Sequence, residues 1–209
     1  MKKIVAWAVI VMVGVLTVGC LTFESKEYSW KINADGSGNG KIVWRNFYSN
    51  GNEEEDASGE DFVSLINDYL EGQSLDDEKD AFKNVKKRLF VEGGVICGEM
   101  TFEFGNYTDA GFYRYKNDGP YMFMLAMSDE SYFKSNGDWG GDDFQVIFWP
   151  GNTKEITLVT SLGDPDEDGA VNLMDYYNDW VKDGTLPETE DYDDTDDDPA
   201  SKIRDAVDY

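Results

Sequence analysis

Histidine is absent from this sequence of 209 residues, and its absence excludes several classes of enzyme. Hydrolases with a histidine base, zinc enzymes with histidine ligands and enzymes with a histidine general acid all need an imidazole. A carboxylate pair of the glycosidase kind would survive this exclusion, but such pairs arise by chance in a chain with 43 acidic residues. We therefore expect a protein that is not an enzyme.

Basic residues are also scarce, since 18 lysines and arginines face 43 acidic residues and give a formal charge of −25. Nucleic-acid binding needs clustered lysine and arginine against phosphate, so this class of function is excluded. The same charge repels anionic lipid head groups, so attachment to a membrane cannot depend on a basic patch.

Cysteine occurs twice, and the first of the two, Cys20, ends a recognisable amino-terminal segment. Lys2 and Lys3 precede an apolar run over residues 4–18, which Gly19 and Cys20 follow. The run is shorter than the ~20 apolar residues of a membrane-spanning helix. A short basic start followed by such a run is typical of a helical export signal.

Residues 16–20, Leu-Thr-Val-Gly-Cys, resemble the lipobox of bacterial lipoproteins. The resemblance implies cleavage after a signal peptide of residues 1–19, diacylglycerol on the Cys20 thiol and a fatty acyl chain such as palmitate on the new amino terminus. The protein would then be lipid-anchored in the bacterial cell envelope. Leu21 replaces the aspartate that retains some such lipoproteins at the inner membrane, which favours the outer membrane. A plain secretory signal and an uncleaved anchor are the alternatives.

The second cysteine, Cys97, would have no disulfide partner once Cys20 is lipidated. It shares strand parity with Glu99 and Glu103, so we expect a half-buried structural thiol on the more polar face of a strand. The stability of the domain must then come from its core and from any ion that it binds.

Oxygen-bearing side chains recur at alternate positions in residues 164–175, as the coordination of one calcium ion requires. The candidate metal ligands are Asp164, Asp166, Asp168, the backbone carbonyl of Ala170, Asn172 directly or through water, and Asp175. Gly169 stands where the loop needs a residue free to adopt positive φ, and Val171 offers an apolar anchor. The sequence therefore predicts a calcium loop.

These twelve residues resemble the calcium loop of EF-hands, and the run from Asp168 to Asp175 is still more similar to the loop of dockerin modules, which also ends in aspartate. The resemblance implies one bound calcium ion. It does not extend to a whole domain, because residues 155–160 are typical of a strand rather than a helix and only one such loop is present. An acidic solvated turn is the alternative interpretation.

The remaining pattern predicts an α+β domain, with a largely antiparallel β-sheet of hairpins and two or three helices. Alternation predicts strands at 28–33, 41–48, 85–91, 95–104, 111–116, 121–127, 144–149 and 155–160. Apolar spacing predicts helices at 62–70, 75–82 and 173–181, with a capping box at Ser58 and Asp61 before the first. The predicted organisation is a tether at 20–27, one domain at 28–186 and a disordered acidic tail at 187–209.

Two functions from different classes fit these observations. The first is a non-catalytic envelope lipoprotein in which one calcium ion has a structural or interaction role. The second is a lipoprotein that binds a lipid or carbohydrate in a pocket, with the ion only bracing the fold. A filled core would favour the first and a lined pocket the second; no protein partner is indicated by either.

Overall fold

The computed structural model describes residues 21–50, 56–72, 81–116, 118–126 and 128–188. Within these ranges the fold is mostly antiparallel β-sheet with two helical regions, so the α+β prediction is confirmed. The signal peptide, Cys20, residues 189–209 and most of the predicted helix at 75–82 lie outside the described residues. Among the residues described, no helix is long and apolar enough to cross a membrane.

The strands form two sheets rather than the single sheet predicted. In chain order the strands are β1 (Leu21–Ile32), β2 (Gly38–Asn50), β3 (Lys83–Glu92), β4 (Val95–Phe104), β5 (Tyr113–Arg114), β6 (Tyr121–Met124), β7 (Ser131–Ser135), β8 (Asp138–Trp139), β9 (Val146–Trp149), β10 (Glu155–Ser161) and β11 (Ala170–Asn172). The large sheet has the order β3-β4-β2-β1-β10-β7, with β11 added beside β2, and the small sheet has the order β5-β6-β9-β8.

The first strand begins earlier than predicted, because residues 21–27, predicted as a tether, form the first half of β1. Leu21 lies opposite Ser49 and Phe23 opposite Phe47, whose ring it meets edge to face. Lys26 interrupts the apolar alternation on which the prediction depended. Its ammonium is accommodated by a partner distant in sequence, so the strand continues through it.

Two helical regions pack on the large sheet. α1 (Ser58–Ser64) continues as a π-helical segment (Leu65–Glu71), and α2 (Met174–Asp183) ends at Gly184 with φ 79°. The predicted capping box is wrong, because the N-cap is Ala57, and Ser58 instead donates its amide to the Asp56 carboxylate at 3.0 Å. Asp61 instead accepts a buried hydrogen bond from the Ser49 hydroxyl at 2.6 Å, so it joins α1 to β2.

The core lies between the sheets and under the helices. Trp30 of β1 contacts Phe112 and Phe123 from the small-sheet side, and Phe62 of α1 stacks on Tyr176 of α2. Cys97 is 1% exposed rather than half-buried, because the Arg45 side chain of the neighbouring strand β2 lies against it. One continuous core therefore holds both sheets and both helices together.

Candidate calcium loop

The chain enters the loop of residues 164–175 from β10. Beyond that strand, the amide of Leu162 donates to the carbonyl of Glu24 at 3.0 Å, and the amide of Gly163 donates to Phe23 at 3.2 Å. The loop therefore starts beside the amino-terminal end of β1, held by backbone hydrogen bonds to that strand.

The chain leaves the loop through β11, which pairs with the end of β2. Val171 lies opposite Ser49 and Asn172 opposite Tyr48. On its other edge, Ser49 already pairs with Leu21 of β1. Because β1 and β11 occupy opposite edges of β2, the loop must cross the ends of both β1 and β2 to join its two anchored ends.

The backbone inside the loop turns where the sequence predicted. Gly169 has φ 97°, a conformation that residues with a side chain rarely adopt. Before it, the Asp164 carboxylate accepts a hydrogen bond from the amide of Asp166 at 3.0 Å, and the amide of Ala170 donates to Glu167 at 3.2 Å. The loop is thus a pair of tight turns followed by a short strand.

The last part of the loop starts α2. The Asn172 side chain accepts a hydrogen bond from the amide of Met174 at 2.8 Å, and Asp175 lies in the first helical turn, as predicted. The predicted apolar anchor is wrong, because Val171 is 38% exposed whereas Leu173 is fully buried. Strand alternation would place positions 171 and 173 on the same face, but β11 ends at Asn172 and the backbone turns into α2 at Leu173 (φ −91°, ψ 8°), which directs that side chain into the core.

The acidic side chains of the loop point into solvent. Asp164, Asp166, Asp168, Asn172 and Asp175 are all exposed. Among the described residues, no three acidic, histidine or cysteine side chains lie close enough together to hold a metal ion. The backbone follows the predicted course but does not gather these carboxylates, so calcium binding stays a prediction.

Tyr48 is a residue of this region that the sequence did not indicate. Its side chain is 2% exposed, and its hydroxyl has no hydrogen-bond partner among the residues described. The hydroxyl lies against Gly163, where any side chain would collide with it. It therefore sits beneath the start of the loop, one residue from Asp164. The glycine before Asp164 was the only hint of this close approach.

The electrostatic environment of Tyr48 is negative. Burial raises the pKa of Tyr48, the charges of Glu167, Asp164 and Glu24 raise it further, and a polar contact with the Thr22 side chain, which falls short of a regular hydrogen bond, lowers it. The hydroxyl therefore remains protonated near neutral pH and keeps a proton that it can donate. The Tyr48 hydroxyl is a buried donor without an acceptor, and the carboxylates of Asp164 and Glu167 are nearby. Such a donor could orient one of these carboxylates.

The donor set of the loop fits calcium in chemistry, because carboxylate, amide and carbonyl oxygens are the ligands of a hard cation. A divalent ion would also compensate the negative charge of Asp164 and Glu167, which act on the buried tyrosine. The fit therefore rests on the donor atoms and on the orphaned Tyr48 hydroxyl.

A second polar cluster lies in the middle of the large sheet and is complete. Glu130 accepts from the ammonium of Lys26 at 2.7 Å and from the hydroxyl of Thr160 at 2.6 Å. Tyr28 also donates to this carboxylate, at 2.9 Å. The Lys26 and Glu130 side chains are only 15% and 10% exposed. Through Lys26 of β1 and Thr160 of β10, Glu130 joins both strands to the segment that precedes β7.

An apolar pocket lies between the π-helical segment and β3. Trp44, Phe47, Leu65, Tyr69 and Leu89 contribute to its walls, with charged side chains at its mouth. It has room for about one water molecule, which is too little for a sugar or an acyl chain.

Comparison with known proteins gives no match, whether with family models, with curated proteins or with solved structures.

Proposed function

We propose that this protein is a non-catalytic lipoprotein of the bacterial envelope that binds one calcium ion in residues 164–175. Cys20 carries the lipid anchor, and the ion has a structural or interaction role. The observation that carries the calcium proposal is the unpaired Tyr48 hydroxyl beneath a loop of oxygen donors.

The ligands in this proposal come from one continuous segment. They are the carboxylates of Asp164, Asp166, Asp168 and Asp175, the carbonyl of Ala170 and the side chain of Asn172. The ion supplies positive charge that draws these exposed side chains together. When the ion binds, the Tyr48 hydroxyl gains the carboxylate of Asp164 as its acceptor and so orients it.

The ion would act as a clamp, because the two ends of the loop are fixed on different strands. Its entry is bonded to β1 and its exit to β2. Binding to the folded chain alone stabilises that state by about 2.7 kcal/mol when calcium is a hundredfold above its dissociation constant. Weak binding, in the range of about 10⁻⁴ to 10⁻³ M, is usual for extracellular calcium sites.

The test of calcium binding is a calorimetric titration with calcium and then magnesium, joined to thermal unfolding with and without calcium. We expect the double variant Asp164→Ala with Asp168→Ala to lose the heat of binding and the thermal stabilisation. The matched control is Asp142→Ala with Asp143→Ala, which removes the same charge from an exposed turn elsewhere. An equal calcium response in wild type and in the loop variant would refute the site.

The lipid anchor is tested separately by metabolic labelling with a fatty acid. Cys20→Ser should leave the protein unlabelled, whereas Cys97→Ala should still be labelled, because Cys97 is buried within the fold. Persistent labelling of the Cys20→Ser protein would contradict the lipobox assignment.

The alternative function, binding of a lipid or carbohydrate, gains no support from the apolar pocket beside the π-helical segment. With room for about one water molecule, this pocket cannot enclose such a ligand.

A further inference from the structure

The small sheet has one buried face and one face that points away from the core. Tyr121 of β6 and Trp149 of β9 lie opposite each other and are both buried, as is Ile147, two residues before Trp149. Because side chains alternate along a strand, the neighbours of these residues point outward. We call the outward side chains the outer face of the small sheet, which consists of Tyr113, Met122, Met124, Val146 and Phe148.

This outer face is apolar and continuous. Tyr113 pairs with Met122, which pairs in turn with Phe148, so one row crosses three strands. Met124 pairs with Val146 in the next row, about 7 Å further along β6. Tyr113 is 59% exposed and Met124 is 56% exposed. A contiguous apolar surface that is open to solvent marks an interaction site.

The outward face of the large sheet is covered differently. Arg45 of β2 pairs with Glu27 of β1 at 3.0 Å. Arg88 of β3 pairs with Glu99 of β4 at 2.8 Å. Ion pairs therefore cover the strands of the large sheet that meet solvent, whereas apolar side chains occupy the corresponding positions of the small sheet. The composition of the chain does not explain this difference, because both sheets belong to the same acidic protein.

The rim of the outer face is acidic. Asp138 of β8 lies opposite Phe148 and so stands at the end of the first outward row. Asp142 and Asp143 are exposed in the turn between β8 and β9. The two turns at 115–120 and 140–145 contain three aspartates and one lysine. The charge next to the apolar rows is therefore negative.

The arginine of the small sheet does not offset this charge at the outer face. The Arg114 guanidinium lies over the ring of the buried Tyr121 at 4.4 Å and donates to the carbonyl of Gly119 at 3.0 Å. It is therefore held on the inner side of the sheet.

We infer that the outer face of the small sheet binds a cationic segment of a partner protein, one that carries apolar side chains on one side. Its apolar side chains pack on Met122, Met124 and Phe148, and its lysines or arginines lie against the aspartates of the rim. Methionine suits such a surface because its flexible, polarizable side chain adapts to partners of different shape. The inference goes beyond the proposed function, since it needs neither the calcium ion nor the lipid anchor.

Charge favours this occupant over two others. A second copy of the chain would bring the same aspartates, and a formal charge of −25, against this face. Anionic lipid head groups are repelled in the same way. A cationic partner with an apolar side is attracted by the rim and gains the free energy of burying the rows.

The test uses the mature chain, residues 20–209, with Cys20→Ser so that no lipid contributes. The probe is a synthetic amphipathic peptide of leucine and lysine. One control peptide has glutamate in place of every lysine, and the other has serine in place of every leucine. We expect the leucine–lysine peptide to bind about tenfold more tightly than either control, because burial of one large apolar side chain suffices for a tenfold change.

Methyl-labelled methionine locates the binding by nuclear magnetic resonance. The signals of Met122 and Met124 should shift with the leucine–lysine peptide. The signals of Met100, which is 1% exposed in the core, and of Met174 at the start of α2 should not shift. Single Met→Leu variants assign the four signals.

A double variant removes the exposed part of the outer face. Tyr113→Ser with Met124→Ser should weaken binding of the leucine–lysine peptide about tenfold. The matched control is Phe133→Ser with Val181→Ser, which removes side chains that are 66% and 61% exposed on β7 and α2 and should leave binding unchanged. An unchanged Met100 signal in both variants shows that their cores are intact.

Four results would overturn the inference. Equal binding of the serine–lysine peptide would mean that charge alone attracts the probe. Equal binding of the leucine–glutamate peptide would mean that the rim does not select a cation. Shifts of Met122 and Met124 that follow protein concentration without peptide would identify a second copy as the occupant, and the same shifts on phosphatidylcholine vesicles would identify a lipid surface.

Discussion

Two tyrosine hydroxyls on the large sheet differ in what surrounds them. Tyr28, in the middle of β1, donates to Glu130, which also accepts from Lys26 and Thr160. Tyr48, near the end of β2, has no hydrogen-bond partner among the described residues, although it is almost fully buried. Buried polar groups are normally paired. Folding alone accounts for the complete cluster, whereas in the proposed function Tyr48 gains an acceptor only when the loop binds its ion.

The largest effect should come from breaking the complete cluster. Glu130→Ala leaves the Lys26 ammonium and the Thr160 hydroxyl buried without their acceptor. Removing one partner of a buried ion pair leaves an uncompensated charge, so we expect the free energy of unfolding to fall by about 3 kcal/mol. Urea unfolding at neutral pH measures it.

This loss should be independent of calcium, because Glu130 is not part of the loop. The same decrease is expected with a chelator and with excess calcium, and the calcium affinity should stay that of wild type. A decrease below about 1 kcal/mol would show that the cluster behaves like an exposed ion pair. A changed calcium affinity would show that the two regions are coupled.

Removing the Tyr48 hydroxyl should change the free energy of unfolding by a smaller amount and in the opposite direction. Tyr48→Phe removes a buried donor that lacks a partner, so the calcium-free protein should gain about 1 kcal/mol in its free energy of unfolding. In calcium the variant should bind more weakly, because Asp164 loses the group that orients it. Urea unfolding with and without calcium gives both values.

The matched control for Tyr48→Phe is Tyr28→Phe, which removes the same hydroxyl from the complete cluster. It should lose about 1 kcal/mol with and without calcium, since a satisfied hydrogen bond is removed in both states. If Tyr48→Phe behaved in the same way as Tyr28→Phe, the contrast between the two hydroxyls would be refuted.

The sequence predicted those elements whose pattern is local. The alternation of β4 predicted its bounds, and the apolar spacing of Phe62, Leu65 and Ile66 predicted the first helical region. The turn at Gly169 was predictable because the conformation is a property of the glycine itself. Each of these features depends on neighbours in the chain.

The elements that escaped prediction depend on residues distant in sequence. The first half of β1 is possible because Lys26 meets Glu130, 104 residues further along. β11 has only three residues and exists because Ser49 and its neighbours offer a free edge. The position of Tyr48 under the loop likewise depends on how closely Gly163 passes. No local pattern contains this information.

The smallest effect should come from Glu99, a half-buried carboxylate like Glu130 but with an exposed arginine as its partner. It accepts from Arg88 at 2.8 Å, and the Arg88 side chain is 58% exposed. The hydrogen bond from Arg88 lowers the pKa of Glu99, and the charges of Arg88, Lys41 and Arg45 add to this against the effect of burial. Exposed pairs contribute little, so Glu99→Gln should cost less than about 1 kcal/mol at neutral pH.

The pH dependence of the loss in unfolding free energy shows whether the charge of Glu99 or only the packing of its side chain stabilises the protein. A carboxyl with a lowered pKa in the folded state stabilises the protein above its ordinary pKa of 4.5, and this contribution is lost as the pH falls through the lowered value. The difference in unfolding free energy between wild type and Glu99→Gln should therefore disappear in acid.

Urea unfolding over a pH series tests this expectation. The control is Glu155→Gln, because Glu155 pairs with Lys31 in a more exposed ion pair. A difference that persisted in acid would mean that packing of the side chain, and not its charge, sets its value.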